Sequence, residues 1–202
     1  MKLLLTSEGL TTKAIRNAFY ELFDKKSDIS LGFIPTAAHL EPRQDWVIED
    51  IQKLIDMGIR VKVIDLRMVE KVDLKSILEK LDGVWVNGGN TFYLLKWMRK
   101  SGFLEIIHEI LKKGKVYVGV SAGSIIAGPS IDICTWKNVD DTSCVLMDDL
   151  SALHLTNVSV FPHYSKEWEN IVNQNKNKLK NKLICVTDKQ AVLILGTKVE
   201  VI

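Results

Sequence analysis

The segment KVYVGVSAGS, residues Lys115–Ser124, carries the most informative pattern of the sequence. An apolar run leads into the spacing Gly119-x-Ser121-x-Gly123, and a second apolar run follows it. This pattern is typical of a strand that turns sharply into a helix and carries a serine at the tip of the turn, which is called a nucleophile elbow. Glycines two positions before and after the serine remove the Cβ atoms that would clash in so tight a turn. An ordinary glycine-rich turn has the same pattern, so the remainder of the chain must decide between the two interpretations.

Short apolar segments alternate with amphipathic helical patterns along the chain before this turn. Strands are predicted at Lys2–Thr6, Ser30–Ile34, Val61–Ile64, Val84–Val86 and Val116–Val120. Helices are predicted at Thr11–Phe23, Arg43–Met57, Leu74–Leu81, Phe92–Met98 and Phe103–Leu111. The alternation predicts an α/β fold with a doubly wound, mostly parallel sheet that helices cover on both faces. In such sheets functional sites lie at the carboxyl ends of strands, which Ser121 and the loop Gly88–Thr91 both follow.

The pattern changes downstream of the turn. Pro129–Val145 is irregular and polar, and we expect an excursion or a hairpin there. Val158–Phe161 predicts a strand that Pro162 ends, and a helix is expected from Trp168 to about Lys182. Tight turns separate the last predicted strands and suggest an antiparallel finish: Leu183–Val186, Ala191–Leu195 and Val199–Ile202. Because the sequence shows no repeat and no linker, residues 1–202 are predicted to form one domain.

The composition argues against several classes of protein. Among 202 residues there are 27 basic and 25 acidic side chains, a balance that gives no argument for a nucleic-acid or a membrane partner. The three cysteines (Cys134, Cys144 and Cys185) are too few and too scattered for a disulfide framework or a zinc cluster, so we expect a cytoplasmic protein. No nucleotide-binding glycine motif and no metal-ligand spacing is present. We therefore expect no cofactor and no metal.

A serine hydroxyl is a weak nucleophile and needs a general base within hydrogen-bond reach. Of the four histidines, His163 directly follows a predicted strand at the edge where the site should lie, so His163 is the predicted base. His39 follows the second strand, and we expect it to touch substrate. A third group should orient the imidazole. Asp188, Asp140 and Asp141 are open alternatives for this group, because aspartate is also common in turns.

The loop Gly88-Gly89-Asn90-Thr91 supplies backbone hydrogen-bond donors. Glycine lets the backbone approach a ligand closely, and the helix predicted to begin near Thr91 adds the positive end of its dipole. We expect Gly88, Asn90 and Thr91 to bind substrate. The N–H groups of Gly89 and Ala122 are predicted to form an oxyanion hole, which stabilises the charge that develops on a carbonyl oxygen under attack.

Four segments together resemble one family. They are VNGGNTFYLLK (Val86–Lys96), GVSAGSIIAGPSI (Gly119–Ile131), FPHYS (Phe161–Ser165) and FIPTAA (Phe33–Ala38). In their order and separations they are similar to segments of the aspartyl dipeptidase (peptidase E) family of serine peptidases. The resemblance implies a flavodoxin-like three-layer sandwich related to class I glutamine amidotransferase domains. It also implies Ser121 as nucleophile, His163 as base, Asp188 as the acidic group, and an oxyanion hole at Gly89 and Ala122.

The chain departs from this family where the substrate is selected. The family holds an N-terminal aspartate with an arginine downstream of the histidine, whereas Lys166–Asn175 (KEWENIVNQN) contains no arginine. Lys166 supplies a positive charge without the bidentate fork of a guanidinium. We expect a serine peptidase that acts on small peptides as a monomer or a homodimer. The alternatives are a catalytically idle relative that binds a ligand or a partner, and a cyanophycinase-like acyl hydrolase with another substrate.

Overall fold

A computed structural model describes residues 1–137, 139–142 and 148–202 of the chain. The described strands are β1 Lys2–Thr6, β2 Ser30–Ile34, β3 Arg60–Val63, β4 Gly83–Val86, β5 Val116–Val120, β6 Val158–Phe161, β7 Lys182–Cys185, β8 Ala191–Leu195 and β9 Lys198–Val201. The described α-helices are α1 Lys13–Leu22, α2 Asp45–Asp56, α3 Lys71–Glu79, α4 Thr91–Lys100, α5 Phe103–Lys112, α6 Ala122–Ile125 and α7 Glu169–Asn175. The predicted alternation of strands and helices through β5 is confirmed.

A mixed sheet forms the centre of the molecule. Its seven strands are ordered β3-β2-β4-β5-β1-β8-β9. The first five in this order are parallel to one another, whereas β8 is antiparallel to β1 and to β9. The order of the parallel part is that of a flavodoxin-like sheet in which the N-terminal strand takes the last place. Since β4, β5 and β1 are neighbours, the loops that follow them meet at one edge of the sheet.

Each face of the sheet carries its own hydrophobic core. In β4, Val84 and Val86 belong to one core and Trp85 to the other, as the twofold alternation of strand side chains requires. Helices α3, α4 and α5 contribute to the first core, and α1 and α2 contribute to the second. The predicted α/β fold with helices on both faces of a mostly parallel sheet is therefore confirmed. Among the described residues, no helix combines the length and the apolar character that crossing a membrane needs.

The end of the chain differs from its prediction. The antiparallel finish holds for β8 and β9, but β7 pairs in parallel with β6 in a separate two-stranded sheet. The expected helix after Trp168 ends at Asn175, and a short 3-10 helix, Lys176–Lys178, follows it. Apolar four-residue runs look the same whichever sheet they join, so the local pattern did not reveal the second sheet.

Two further regions qualify the predictions. Helix α2 buries only part of its apolar surface, because Val47 and Leu54 are buried while Ile48 and Ile55 are 69% and 49% exposed. Helix α2 packs near β3 at the end of the sheet, where little core is available to cover a wide stripe. The irregular segment after α6 is described only in part. It contains the 3-10 helix Asp132–Thr135, and Cys144 lies outside the described residues.

Candidate active site

The turn between β5 and α6 places Ser121 in an unusual backbone conformation. Its φ and ψ angles are +49° and −111°, which a residue with a side chain adopts only when its surroundings hold it there. The Ser121 N–H donates to the Thr6 carbonyl on the neighbouring strand at 3.0 Å. A Cβ atom at Gly119 would overlap the carbonyl oxygen of Gly123, and one at Gly123 would overlap that of Val86. Both glycines are thus required for space, as the elbow pattern predicts.

A line of hydrogen bonds runs from Ser121 through His163 to Asp188. The Ser121 Oγ lies 3.1 Å from His163 Nε2, and His163 Nδ1 lies 2.7 Å from Asp188 Oδ1. An ionised carboxylate only accepts, so Nδ1 carries the proton and the lone pair of Nε2 faces the serine hydroxyl. This is the tautomer in which an imidazole can take the proton of a serine.

The structure separates the three aspartates that the sequence left open. Asp188 follows β7 and reaches the imidazole, because the antiparallel strand β8 begins beside the end of β1. Asp140 instead lies at the start of α4, where its carboxylate accepts from the Thr91 N–H at 2.7 Å and from Asn90 Nδ2 at 2.9 Å. Asp141 contributes its carbonyl to the same Asn90 amide. Of the three, Asp188 is the one hydrogen-bonded to His163.

The glycine loop after β4 lies against Ser121. A Cβ atom at Gly88 would stand 3.2 Å from the Ser121 Cβ, a tight contact that shows how closely this loop packs beside the serine. Gly89 has a φ of +121° and packs on the backbone of Ala37, which a Cβ would overlap. Ala122 begins α6, and within the described part of the chain neither its N–H nor that of Gly89 is paired with a protein acceptor. These two donors are the ones that the predicted oxyanion hole needs.

Asn90 and Thr91 occupy a different place from the one predicted. Both are buried at the start of α4, where the Asn90 side chain caps the helix by accepting from the Tyr93 N–H at 2.8 Å. Burial raises the pKa of the Asp140 carboxyl, and hydrogen bonds from Thr91 and from the Asp141 N–H partly offset that rise. Because Asp140 fills the positive end of the α4 dipole, contact of Asn90 and Thr91 with substrate is not supported.

Ser7 is a member of the site that the sequence pattern did not single out. It follows β1 and is fully buried, and its hydroxyl donates to Asp188 Oδ1 at 2.6 Å. The same hydroxyl accepts from the backbone N–H of His163 at 2.7 Å. His163 has a φ of +54°, so this hydrogen bond helps to hold it in the left-handed region. The pairing of β1 with β5 brings Ser7 beside the site, and no local sequence pattern indicates that pairing.

An open cavity of about 410 Å³ lies over the serine. Gly88, Gly89, Val120, Ser121 and His163 form its floor, and the described residues that complete its lining are Ser7, Glu8, Glu41, Trp46, Glu49, Asp50 and Lys53. His39, which we expected to touch substrate, does not line this cavity, and its Nε2 lies 3.3 Å from Asp65 Oδ2. A cavity of this size accommodates a small molecule of dipeptide dimensions.

A serine at a strand-to-helix turn that faces a histidine at the carboxyl edge of a doubly wound sheet is the arrangement of a serine-type hydrolase. The chain belongs to peptidase family S51, since the model of that family matches residues 3–202. It is accordingly a serine-type peptidase of the peptidase E kind.

Relatives and a solved structure agree with this membership. An uncharacterized peptidase of Listeria monocytogenes is 30% identical over an alignment of 203 positions, which covers 98% of this chain and 96% of the relative. Peptidase E of Escherichia coli is 32% identical over 136 residues, which are 67% of this chain and 56% of the relative. A crystal structure from Listeria monocytogenes EGD-e, of a protein named as a candidate peptidase E, superposes with a TM-score of 0.84 at 28% identity, over 99% of this chain and 96% of that one.

Proposed function

We propose that the chain hydrolyses small peptides of dipeptide size through an acyl-enzyme on Ser121. The observation that carries the proposal is the hydrogen-bonded line from Asp188 through His163 to Ser121. The 3.1 Å contact between the serine and the imidazole supports an active enzyme over a catalytically idle relative.

In the first half of the reaction His163 Nε2 takes the hydroxyl proton as Ser121 Oγ attacks the peptide carbonyl carbon. The carbonyl oxygen becomes an oxyanion, which the N–H groups of Gly89 and Ala122 stabilise. The imidazolium then gives its proton to the leaving amine, and the C–N bond breaks. Asp188 keeps the imidazole oriented and stabilises its positive charge throughout.

In the second half water replaces the amine. His163 takes a proton from this water while the oxygen of the water attacks the ester carbon of the acyl-enzyme. Collapse of the second oxyanion releases the carboxylic acid, and the proton returns to Ser121 Oγ. Since the cavity lies open above the serine, water reaches the acyl-enzyme once the first product has left.

The test is a dipeptide library measured with the wild type and with Ser121→Ala. We expect turnover and labelling by a serine-directed fluorophosphonate in the wild type, and neither in the variant. Ser76→Ala serves as the control, because Ser76 is an exposed serine of α3 that does not line the cavity over Ser121. Full activity of Ser121→Ala on the same peptides would refute the mechanism. A library that yields no product, with an acyl substrate of another kind cleaved instead, would favour the cyanophycinase-like alternative.

A further inference from the structure

We propose that the cavity over Ser121 selects peptides whose N-terminal residue carries a positively charged side chain, such as lysine or arginine. This inference rests on the proposed function, because it names the substrate class of the same site. The site itself is defined by Ser121 and His163, and the charges around them decide which peptide enters it.

The charged side chains of the cavity are mostly acidic. Among its described lining residues, four carboxylates (Glu8, Glu41, Glu49 and Asp50) stand against one ammonium, that of Lys53. The chain as a whole has a net charge of +2, so this surplus of negative charge is local to the site. A cleft lined by one sign of charge concentrates ligands of the opposite sign.

Lys53, the one ammonium among the described lining residues, is already paired. Lys53 Nζ lies 3.3 Å from Asp50 Oδ1, one helical turn away on α2. The other oxygen of Asp50 accepts from the side-chain amide of Asn87 at 3.3 Å, and Asn87 is fully buried. Each oxygen of the Asp50 carboxylate thus has its own partner, Lys53 for one and Asn87 for the other. An acidic substrate side chain would have to compete with Asp50 for Lys53 while it faced the other three carboxylates.

The cavity also suits the other features of such a peptide. A dipeptide brings a free α-ammonium in addition to its side chain, and each needs an acceptor or a counter-charge. Trp46 lines the same cavity, and the face of an indole attracts an ammonium or a guanidinium. By contrast, Lys166–Asn175 lacks the arginine that would bind an aspartate side chain. Charge, aromatic surface and the missing arginine all favour a cationic side chain.

The experiment compares dipeptides that share one C-terminal residue. Lysine and norleucine at the N-terminus form a matched pair, since the two chains have similar length and differ in charge, and aspartate and asparagine form a second pair. We expect kcat/KM for the lysine peptide to exceed that for the norleucine peptide by about tenfold. This is the effect expected when a few weak charge contacts act together. The aspartate peptide should fall below the asparagine peptide by about threefold or more.

Variants of the cavity assign the preference to its charges. Glu8→Gln with Glu49→Gln should reduce the lysine-to-norleucine ratio by about fivefold, since two of the four carboxylates are removed. Lys53→Met should leave or increase that ratio. Glu21→Gln is the control, because Glu21 is exposed on α1 outside this cavity, and it should leave the ratio unchanged.

Binding to the Ser121→Ala variant separates this inference from the proposed function. The four dipeptides are titrated calorimetrically onto that variant, so a preference is read even where no peptide is turned over. If the wild type cleaves nothing but the variant binds the lysine peptide about tenfold more tightly than norleucine, the proposed mechanism fails and the charge preference stands. Equal binding and turnover of lysine and norleucine, or a preference for aspartate that Lys53→Met removes, would overturn the inference.

Discussion

Removal of the Ser7 hydroxyl tests how the imidazole is held in place. In Ser7→Ala the backbone N–H of His163 loses its 2.7 Å acceptor, and Asp188 Oδ1 loses its 2.6 Å donor. A hydrogen bond to a charged group contributes about 1.5–3 kcal/mol, and a buried N–H left unpaired costs about 1–3 kcal/mol. Because the Asp188 side chain is 49% exposed, water replaces part of what is lost there. We therefore expect a loss of about 2 kcal/mol in the free energy of unfolding.

This loss has a thermal and a kinetic signature. For a chain of this length it lowers Tm by about 4–8 °C. His163 no longer has the bond that fixes its left-handed backbone, so its Nε2 spends less time aligned with Ser121 Oγ. We expect kcat to fall about 10- to 100-fold, equivalent to about 1.4–2.7 kcal/mol of activation free energy, while KM changes by about twofold or less.

Ser159→Ala is the matched control for the kinetic effect. Ser159 is a buried serine of β6, four residues before His163 in the chain. Its hydroxyl accepts a hydrogen bond from Asn181 Nδ2 at 2.7 Å. Its replacement should lower Tm to a similar extent and leave kcat within about twofold. Thermal unfolding and steady-state kinetics on one dipeptide measure both quantities. If Ser7→Ala lost stability but kept the wild-type kcat, Ser7 would be structural only and the reasoning would be wrong.

Three further perturbations have definite expected outcomes. Asp188→Asn should lower kcat by about 10²–10⁴-fold, because an amide favours the wrong imidazole tautomer. Asp140→Asn should leave kcat within about threefold. The opposite result in steady-state kinetics would make Asp140 the acidic group that acts with Ser121 and His163. Gly89→Ala should destabilise the chain by about 3 kcal/mol and lower kcat, since the new Cβ would overlap Ala37. Gly58→Ala is the control, because Gly58 has a φ of +80° but no atom near the position of a Cβ. It should lower the free energy of unfolding by about 1 kcal/mol, measured in urea, and leave kcat unchanged. Burial alone would raise the pKa of Asp82, but hydrogen bonds from Lys26 and Ser30 outweigh it and lower that pKa. The ionised carboxylate therefore stabilises the fold fully above the unfolded pKa of about 4, and this contribution is lost as the pH falls through the lower folded pKa. Asp82→Asn should lower the free energy of unfolding by about 2 kcal/mol at pH 7 and by less at acidic pH. A difference from wild type that does not change with pH would contradict this.

The sequence predicts what depends on local patterns. The inner strands β1, β2, β5 and β8 of the main sheet are mainly apolar runs bounded by turn signals, and they were predicted residue for residue. Ser121 and His163 were identifiable because each directly follows such a run. Glycine at position 119 also has a local cause, since a Cβ there would overlap Gly123 in the same turn, whereas a Cβ at Gly123 would overlap Val86 of the neighbouring strand β4.

What the sequence does not predict depends on which segments meet in space. A serine that follows β1 does not indicate in the sequence that β1 pairs with β5, or that Ser7 lies beside His163. Asp188 and Asp140 are both plausible in sequence, and their contacts in the fold separate them, since Asp188 contacts His163 and Asp140 contacts the first turn of α4. The sequence also did not reveal that the helix start at Asn90 and Thr91 contacts the carboxylate of Asp140, which is distant along the chain.

The order of the active groups along the chain has a consequence for biosynthesis. Ser121 emerges from the ribosome before His163, and Asp188 follows later still. Strand β1 precedes the other described strands, yet one of its two neighbours in the sheet is β8, which begins at Ala191. A nascent chain that has reached only residue 157 already carries Ser121 but neither His163 nor β8. Under the proposed mechanism, a product truncated at residue 157 would contain the serine and hydrolyse no peptide.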